Sequence, residues 1–162
     1  MANGMKNLGV AIALIAASGV TLVTPATARD KKADAPAAKG PNLSKTARPL
    51  IVGAQEKIKA NDNAGALAQL RQAEALPDLT ADDKYFIANF KVMIGQSNKD
   101  NALIKEGLEG ALASGQTTAE QTASFNKVLG GIAYNAKDYP TATKYFQAVL
   151  RAKPDDTETA GI

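Results

Sequence analysis

Apolar residues recur with one helical spacing in three segments of this chain, and the segments follow one another with a 38-residue period. In each segment an aspartate precedes three residues spaced by four and then three positions, which places all three on one helix face. The three copies are Asp62 with Ala66, Leu70 and Ala73; Asp100 with Ile104, Leu108 and Ala111; and Asp138 with Ala142, Phe146 and Val149. A fixed period of this length predicts repeated pairs of helices and not a single closed core.

A second apolar stripe lies ahead of each aspartate and predicts the first helix of each pair. Shifting the sequence by one such period aligns three sets of positions along this stripe. The sets are Pro49, Ile87 and Phe125; Val52, Phe90 and Val128; and Glu56, Ile94 and Ile132. Their spacing of three and four residues predicts a buried face in the second and third pairs. The first pair has proline and glutamate in this stripe, which is typical of an edge pair with less surface to bury.

Capping residues follow the same period. Thr80 lies three residues before Asp83, and Thr118 three residues before Gln121, which is the spacing of a capping box. The aspartates that open each copy are expected to be N-caps of the second helices. Glycine also occurs inside the predicted helices. Each such glycine lowers helix stability by about 1 kcal/mol relative to alanine, unless close helix packing recovers part of this cost. These glycines are Gly53, Gly95, Gly107, Gly110, Gly130 and Gly131.

The segment that precedes Arg29 has a different character. A charge-free apolar run of 16 residues, from Leu8 to Val23, follows Lys6 and precedes an Ala-Thr-Ala sequence that ends at Ala28. This order predicts a secretory signal peptide, residues 1–28, cleaved near Ala28, and hence a periplasmic or secreted protein. A retained membrane anchor is the alternative, although the run is short for crossing a bilayer. Translation starts at the first methionine or at Met5.

Residues 29–43 are rich in alanine, lysine and proline and have no apolar period, so they predict a flexible basic linker. The net charge of +3 belongs to the leader and this linker, because the chain from Pro49 onward contains 12 basic and 14 acidic residues. A nucleic-acid-binding domain concentrates basic residues on its folded face. The charge distribution therefore argues against a nucleic-acid partner.

The chain lacks the residues of most catalytic and metal sites. It has no cysteine and no histidine, so the thiolate nucleophile, the commonest general base and the commonest metal ligand are all missing. Two carboxylate pairs, Asp82–Asp83 and Glu106–Glu109, have no apolar surroundings in the sequence, and we expect them to be solvated. No glycine-rich phosphate loop is present. The sequence predicts a non-catalytic protein with no cofactor and no bound metal.

The third helix pair carries a more specific pattern. Its residues are Leu129-Gly130, Lys137-Asp138-Tyr139, Ala142, Tyr145-Phe146 and Pro154. This pattern resembles the tetratricopeptide repeat, and the 38-residue register extends the resemblance over about residues 44–154. The first two pairs lack the turn tyrosine and have leucine in place of the aromatic residue, and the period exceeds the family's usual value of about 34 residues. The chain is also similar to exported bacterial proteins of this repeat class.

The resemblance implies an all-α fold, a right-handed α-solenoid of three helical hairpins (about six helices), in a domain of residues 44–162. The hairpins are expected at residues 44–80, 81–118 and 119–154, with a fourth pair beginning at 155–162. Repeat arrays need a polar cap over their last apolar face. We therefore expect either that the sequence is part of a longer protein, or that the face around Phe146, Val149 and Leu150 packs against a partner or a second copy.

In this family the first helices line a concave groove that holds a peptide. Transferred through the 38-residue register, the resemblance implies a groove of solvent-facing residues, to which Ile51, Ile58, Phe86, Ser97, Ser124 and Gly131 also belong. The predicted partner-binding residues are Arg48, Gln55, Lys59, Asn89, Met93, Gln96, Lys127, Tyr134 and Asn135.

The expected function is that of a non-catalytic scaffold or adaptor of the bacterial cell envelope, which binds a peptide or protein of unknown identity in this groove. The alternative is a structural subunit of an envelope or export complex that self-associates through its uncapped C-terminal repeat. A third hypothesis is a substrate-capturing subunit that works with an enzymatically active partner chain.

Overall fold

A computed structural model describes residues 42–153 of the chain. Within this part all regular structure is helical, with six helices and no strand. The helices are α1, Arg48–Lys59; α2, Asn63–Glu74; α3, Ala81–Asn98; α4, Asn101–Ala113; α5, Ala119–Asn135; and α6, Tyr139–Ala152. The all-α prediction is confirmed for these residues. The predicted signal peptide, most of the predicted linker and the predicted start of a fourth pair lie outside them.

The turns between paired helices repeat with the period seen in the sequence. Asn61, Lys99 and Lys137 each adopt a left-handed backbone conformation, with φ of 59°, 56° and 61°. The aspartate after each of them caps the next helix by accepting hydrogen bonds from backbone N–H groups of its first turn. Both predicted capping boxes are also present, at Thr80 and Thr118. The predicted caps are confirmed, and local sequence sets these helix boundaries.

The helices pack as three consecutive pairs: pair one is α1 with α2, pair two is α3 with α4, and pair three is α5 with α6. Pairs one and two meet through α1 and α2 against α3, and pairs two and three meet through α4 against α5. The apolar face predicted for the second helices lies inside this packing. Its buried members are Ala66, Leu70, Ala73, Leu108, Ala111, Ala142 and Val149, while Ile104 and Phe146 are half-buried.

The stripe predicted for the first helices is buried only in pairs two and three. Its buried members are Ile87, Phe90, Ile94 and Phe125, and Val128 and Ile132 are half-buried. The equivalent residues of pair one, Pro49, Val52 and Glu56, are exposed. The weaker stripe predicted for pair one is therefore confirmed, and α1 buries Ile51 and Ala54 instead.

Pairs one and two share one hydrophobic core. Its buried members are Leu43, Ala47, Ile51, Ala54, Ala66, Leu70 and Ala73 from the N-terminal side, with Ile87, Phe90, Ile94 and Leu103 from pair two. Four of the seven N-terminal members are alanines, so the larger apolar surfaces of this core come from pair two. Leu43, which belongs to the predicted linker, is one of the members of this core.

The uncapped face predicted near the end of the chain is smaller than expected. Val149 is buried, and the Phe146 ring lies against Gly130, where an added Cβ would be 2.5 Å from Phe146 Cε1. Phe146 therefore fills the space that the missing side chain of Gly130 leaves. Phe146 and Leu150 are half-buried, so part of the surface predicted to await a partner is already covered within the described residues.

Candidate partner-binding surface

The residues predicted to line the groove differ in their exposure. The exposed members are Arg48, Lys59, Gln96, Tyr134 and Asn135; the half-buried members are Gln55, Met93 and Lys127; Asn89 is buried. Five of the nine predicted residues are therefore exposed to solvent, and three are partly exposed.

Asn89 does not face solvent as the sequence led us to expect. Asn89 is only 8% exposed, and its amide Nδ2 donates to the backbone carbonyl of Tyr85 at 2.8 Å. Ile51, at the equivalent position of α1, is buried as well. Asn89 is buried because α1, α2 and α4 all pack against α3, which leaves little free surface in the middle of that helix. Ile51 belongs to the core that pairs one and two share. The expectation of solvent exposure is wrong for both residues.

Four of the five exposed members lie near the carboxyl ends of the first helices, whereas Arg48 begins α1. Lys59 ends α1, Gln96 and Ser97 lie in the last turn of α3, and Tyr134 and Asn135 end α5. These residues offer ammonium, amide, hydroxyl and phenol groups, which can donate to and accept from a peptide backbone. The candidate surface is therefore formed by the carboxyl ends of the first helices. The central part of each first helix offers fewer exposed side chains to it.

Two exposed tyrosines form a fixed corner at one end of this surface. Tyr134 is 52% exposed and Tyr139 is 55% exposed, and their rings meet edge to face with centroids 5.6 Å apart. The turn between them is held by the backbone N–H of Lys137, which donates to the carbonyl of Tyr134 at 2.9 Å. Asp138 caps the following helix by accepting from Thr141 N at 3.2 Å. Amphipathic rings in such a setting are suited to contact with a partner.

A buried lysine joins pair one to pair two. The side chain of Lys91, on α3, is 4% exposed, and its Nζ contacts Glu74 at the end of α2 and Glu106 Oε1 on α4, the latter at 2.7 Å. The sequence analysis did not predict this site. Glu106 is solvated as expected, with a side chain that is 61% exposed. The available signal was a lysine placed between Phe90 and Val92 in an apolar helix. A buried ammonium needs carboxylate partners, and here two helices supply them.

Two tyrosine hydroxyls join pair two to pair three. Tyr145 Oη donates to Glu109 Oε1 at 2.6 Å, and Tyr85 Oη accepts from Gln121 Nε2 at 3.0 Å. Burial, together with the hydrogen bond to Glu109 and its negative charge, raises the pKa of Tyr145 to about 12. Each contact joins residues 36 positions apart, so both are long-range contacts between pairs.

The carboxylate of Asp83 fixes the segment that precedes α1. Asp83 is fully buried and accepts from the backbone N–H groups of Ser44 and Thr80, each at 3.0 Å. The neighbouring Asp82 accepts from the backbone N–H of Asn42 at 2.9 Å. Burial alone would raise the pKa of Asp83, but the hydrogen bonds from Ser44 and Thr80 outweigh it and lower the pKa below its ordinary value. The expectation that this carboxylate pair is solvated is wrong for Asp83.

No protein-family model, no curated protein and no solved structure matches this chain. The resemblance to the tetratricopeptide repeat therefore stays a prediction that depends on the residues and on their period. None of the six described helices combines the length and the hydropathy of a transmembrane span. Residues 42–153 also contain no group of three or more acidic side chains arranged to hold a metal ion.

Stability is expected to fall when the pH drops below about 4. Asp83 has a lowered pKa in the folded state, so the unfolded chain takes up its proton first, near the ordinary value of 3.8. The stability that this carboxylate supplies is therefore present above that pH and is lost below it. We expect Asp83→Asn to be less stable than the native protein at neutral pH and to lose less stability on acidification. Urea unfolding between neutral pH and about pH 3 measures both quantities.

Asp78→Asn is the matched control for this experiment, because Asp78 is exposed in a turn. Asp62 and Asp138 also have lowered pKa values, through bonds to Lys57 and Thr141 respectively. They titrate in every variant and so leave the comparison intact. A fall on acidification as steep in Asp83→Asn as in the control would contradict the assignment.

Proposed function

We propose that this protein is a non-catalytic scaffold of the bacterial cell envelope that binds an extended peptide, or a protein segment, across the ends of its first helices. The proposal includes a solenoid arrangement of tetratricopeptide type. Its location outside the cytoplasm follows from the predicted signal peptide. The four buried polar residues of the described part, Asp83, Asn89, Lys91 and Asn126, each make a hydrogen bond or an ion pair within the protein, which favours a structural role for them.

The repeated turn geometry carries this proposal. Each first helix is followed by a residue with a left-handed backbone conformation, at Asn61, Lys99 and Lys137. In all three turns the next residue is an aspartate that caps the second helix. Side chains two residues before these turns, at Lys59, Ser97 and Asn135, therefore occupy equivalent places in successive pairs. A peptide is itself a repeating polymer, so a repeating row of polar side chains suits its backbone better than it suits a small compact ligand.

Peptide display followed by affinity measurement tests this proposal. Random peptides displayed on phage are selected on the purified protein, and a selected peptide is then titrated against two triple variants. The groove variant is Lys59→Ala, Gln96→Ala and Asn135→Ala, all on first helices. The control variant is Lys144→Ala, Gln72→Ala and Gln147→Ala, all exposed on second helices.

We expect the groove variant to bind at least about tenfold more weakly, which corresponds to about 1.4 kcal/mol. The control variant is expected to bind within about twofold of the native protein. Equal losses in the two variants would place the binding surface elsewhere, and failure to select any peptide would count against peptide binding altogether.

A further inference from the structure

Pair two is joined to its two neighbours in different ways. On one side, α1 and α2 both pack against α3, and pairs one and two share a hydrophobic core. The buried Lys91 and the bond from the segment before α1 to Asp83 add to this junction. On the other side, the main helix contact is α4 against α5, and the described members of the shared core include none from pair three. Pairs one and two therefore form one body, to which pair three is attached.

The two connections between pairs differ in the same sense. Residues 75–80 join pair one to pair two, and they include Leu76 and Leu79, which pack against the shared core. Residues 114–118 join pair two to pair three and consist of serine, glycine, glutamine and threonine only. Gly115 has a φ of 72°, and a Cβ there would meet nothing within 4 Å. The second connection therefore lacks the apolar packing that fixes the first.

Hydrogen bonds of the second connection are local. Ser114 Oγ donates to the carbonyl of Ala111 at 2.6 Å and accepts from the backbone N–H of Gln116 at 3.2 Å. The hydroxyl oxygens of Thr117 and Thr122 lie 2.9 Å apart. These bonds fix the end of α4 and the start of α5, and they leave the angle between the two helices to other contacts. A short connection of this kind can act as a hinge.

Polar side chains supply two of the contacts that set this angle. Tyr145 Oη donates to Glu109 Oε1 at 2.6 Å, and Gln121 Nε2 donates to Tyr85 Oη at 3.0 Å. Each such bond contributes about 1–2 kcal/mol net, because water replaces the lost partner when the bond breaks. Breaking both therefore costs less than separating pairs one and two, which would expose a hydrophobic core and a buried ammonium.

The hinge lies at the opposite end of pair three from the candidate surface. The helix α5 begins directly after the connection and ends at Asn135, which belongs to that surface. Its 17 residues span about 25 Å. A turn of pair three by about 10° at the connection would therefore move Asn135 by about 4 Å relative to Ser97 of pair two. A small change of angle at the hinge thus changes the spacing of the candidate surface.

We propose that pair three swings as one body about residues 114–118, with pairs one and two as the other body, and that this motion adjusts the spacing of the candidate surface. The swing itself does not depend on peptide binding. Its use rests on the proposed function, because a peptide that bridges the two bodies holds pair three at the spacing that fits it. The array thus accepts partner segments of different shape without rearrangement inside any pair.

Distances between nitroxide spin labels test the swing. The chain has no cysteine, so two introduced cysteines carry the only labels. Ala102→Cys with Pro140→Cys spans the hinge, and Ala64→Cys with Ala102→Cys spans the junction of pairs one and two at equivalent positions. All three residues are exposed and lie outside the predicted groove. We expect the distance distribution across the hinge to be at least about twofold wider than the other. Equal widths would overturn the proposal.

A further variant tests the contact that holds the angle. Tyr145→Phe keeps the ring and removes the hydroxyl that donates to Glu109. The distances across the hinge should therefore widen further, and those between pairs one and two should stay the same. Tyr134→Phe removes the hydroxyl of an exposed tyrosine and should change neither distribution. Widening at both junctions, or at neither, in Tyr145→Phe would count against a hinge at residues 114–118.

A selected peptide separates the swing from its use. At saturation it should narrow the distribution across the hinge to about the width found between pairs one and two. An unchanged width in the peptide-bound protein would overturn the link between the swing and binding, whereas the swing itself is judged on the free protein. Peptide affinity is measured separately, so its loss or retention in the groove variant bears only on the proposed function.

Discussion

Replacing Gly107 by alanine is expected to lower the free energy of unfolding by about 2 kcal/mol. A Cβ at this position would lie 2.7 Å from the carbonyl oxygen of Ala88 and 2.9 Å from the backbone nitrogen of Val92. Because backbone atoms cannot rotate away as side chains do, α3 and α4 must move apart, at a cost of about 3 kcal/mol. The higher helix propensity of alanine offsets about 1 kcal/mol of this cost.

Gly131→Ala is the control, since Gly131 also lies inside a helix but a Cβ there would meet nothing within 4 Å. Only the helix propensity changes at this position, so we expect a gain of up to about 1 kcal/mol. Urea unfolding monitored by circular dichroism gives both free energies. A Gly107→Ala variant as stable as Gly131→Ala would show that α3 and α4 are not in close contact.

The glycines illustrate what the sequence can and cannot predict about this fold. Their cost inside helices, and its partial recovery by packing, could be stated from the sequence alone. Which glycines recover this cost could not be predicted, because Gly130 and Gly131 are adjacent in one helix and share almost the same local sequence. In the structure Gly130 receives the Phe146 ring and Gly131 faces open space. Consecutive residues on a helix point in directions about 100° apart, and only tertiary packing decides which side of the helix is covered by a neighbour.

Helix ends were predictable for a different reason. A capping side chain acts on backbone groups two or three residues away, so its effect can be predicted from the local sequence. Thr80 and Thr118 begin α3 and α5 as expected, and the aspartates at the period begin the second helices. The 38-residue period added information that a single copy lacks, since it fixed the boundaries of three pairs at once.

The candidate surface was predicted less well, because exposure depends on neighbours that are distant in sequence. The position shared by Ile51, Asn89 and Lys127 was assigned to the groove from one register, although only Lys127 retains partial exposure. The ends of the first helices were predicted correctly as exposed, at Lys59 and Asn135 among others. There the following turn carries the chain away, and fewer neighbouring helices can cover the side chains.

Replacing Lys91 by alanine is expected to lower the free energy of unfolding by about 3 kcal/mol. The change removes a buried aliphatic stem and leaves Glu74 and Glu106 without the cation that both contact. The control is Lys105→Ala, because the Lys105 side chain is about half exposed and its Nζ is 4.0 Å from Glu109 Oε1. An exposed pair of this kind contributes about 0.5 kcal/mol or less. Urea unfolding of the two variants measures the difference.

Lys91→Met separates the charge from the packing of the stem. Methionine keeps most of the buried volume, and the half-exposed carboxylates of Glu74 and Glu106 can turn toward water, so the expected cost is only about 1–2 kcal/mol. Since Lys91 links α3 to the end of α2, hydrogen exchange in Lys91→Ala should accelerate in pair one more than in α5 and α6. Equal acceleration in all three pairs would mean that the lysine supports the whole domain and not the contact between pairs one and two. A loss no greater than that of Lys105→Ala would mean that its burial contributes nothing to stability.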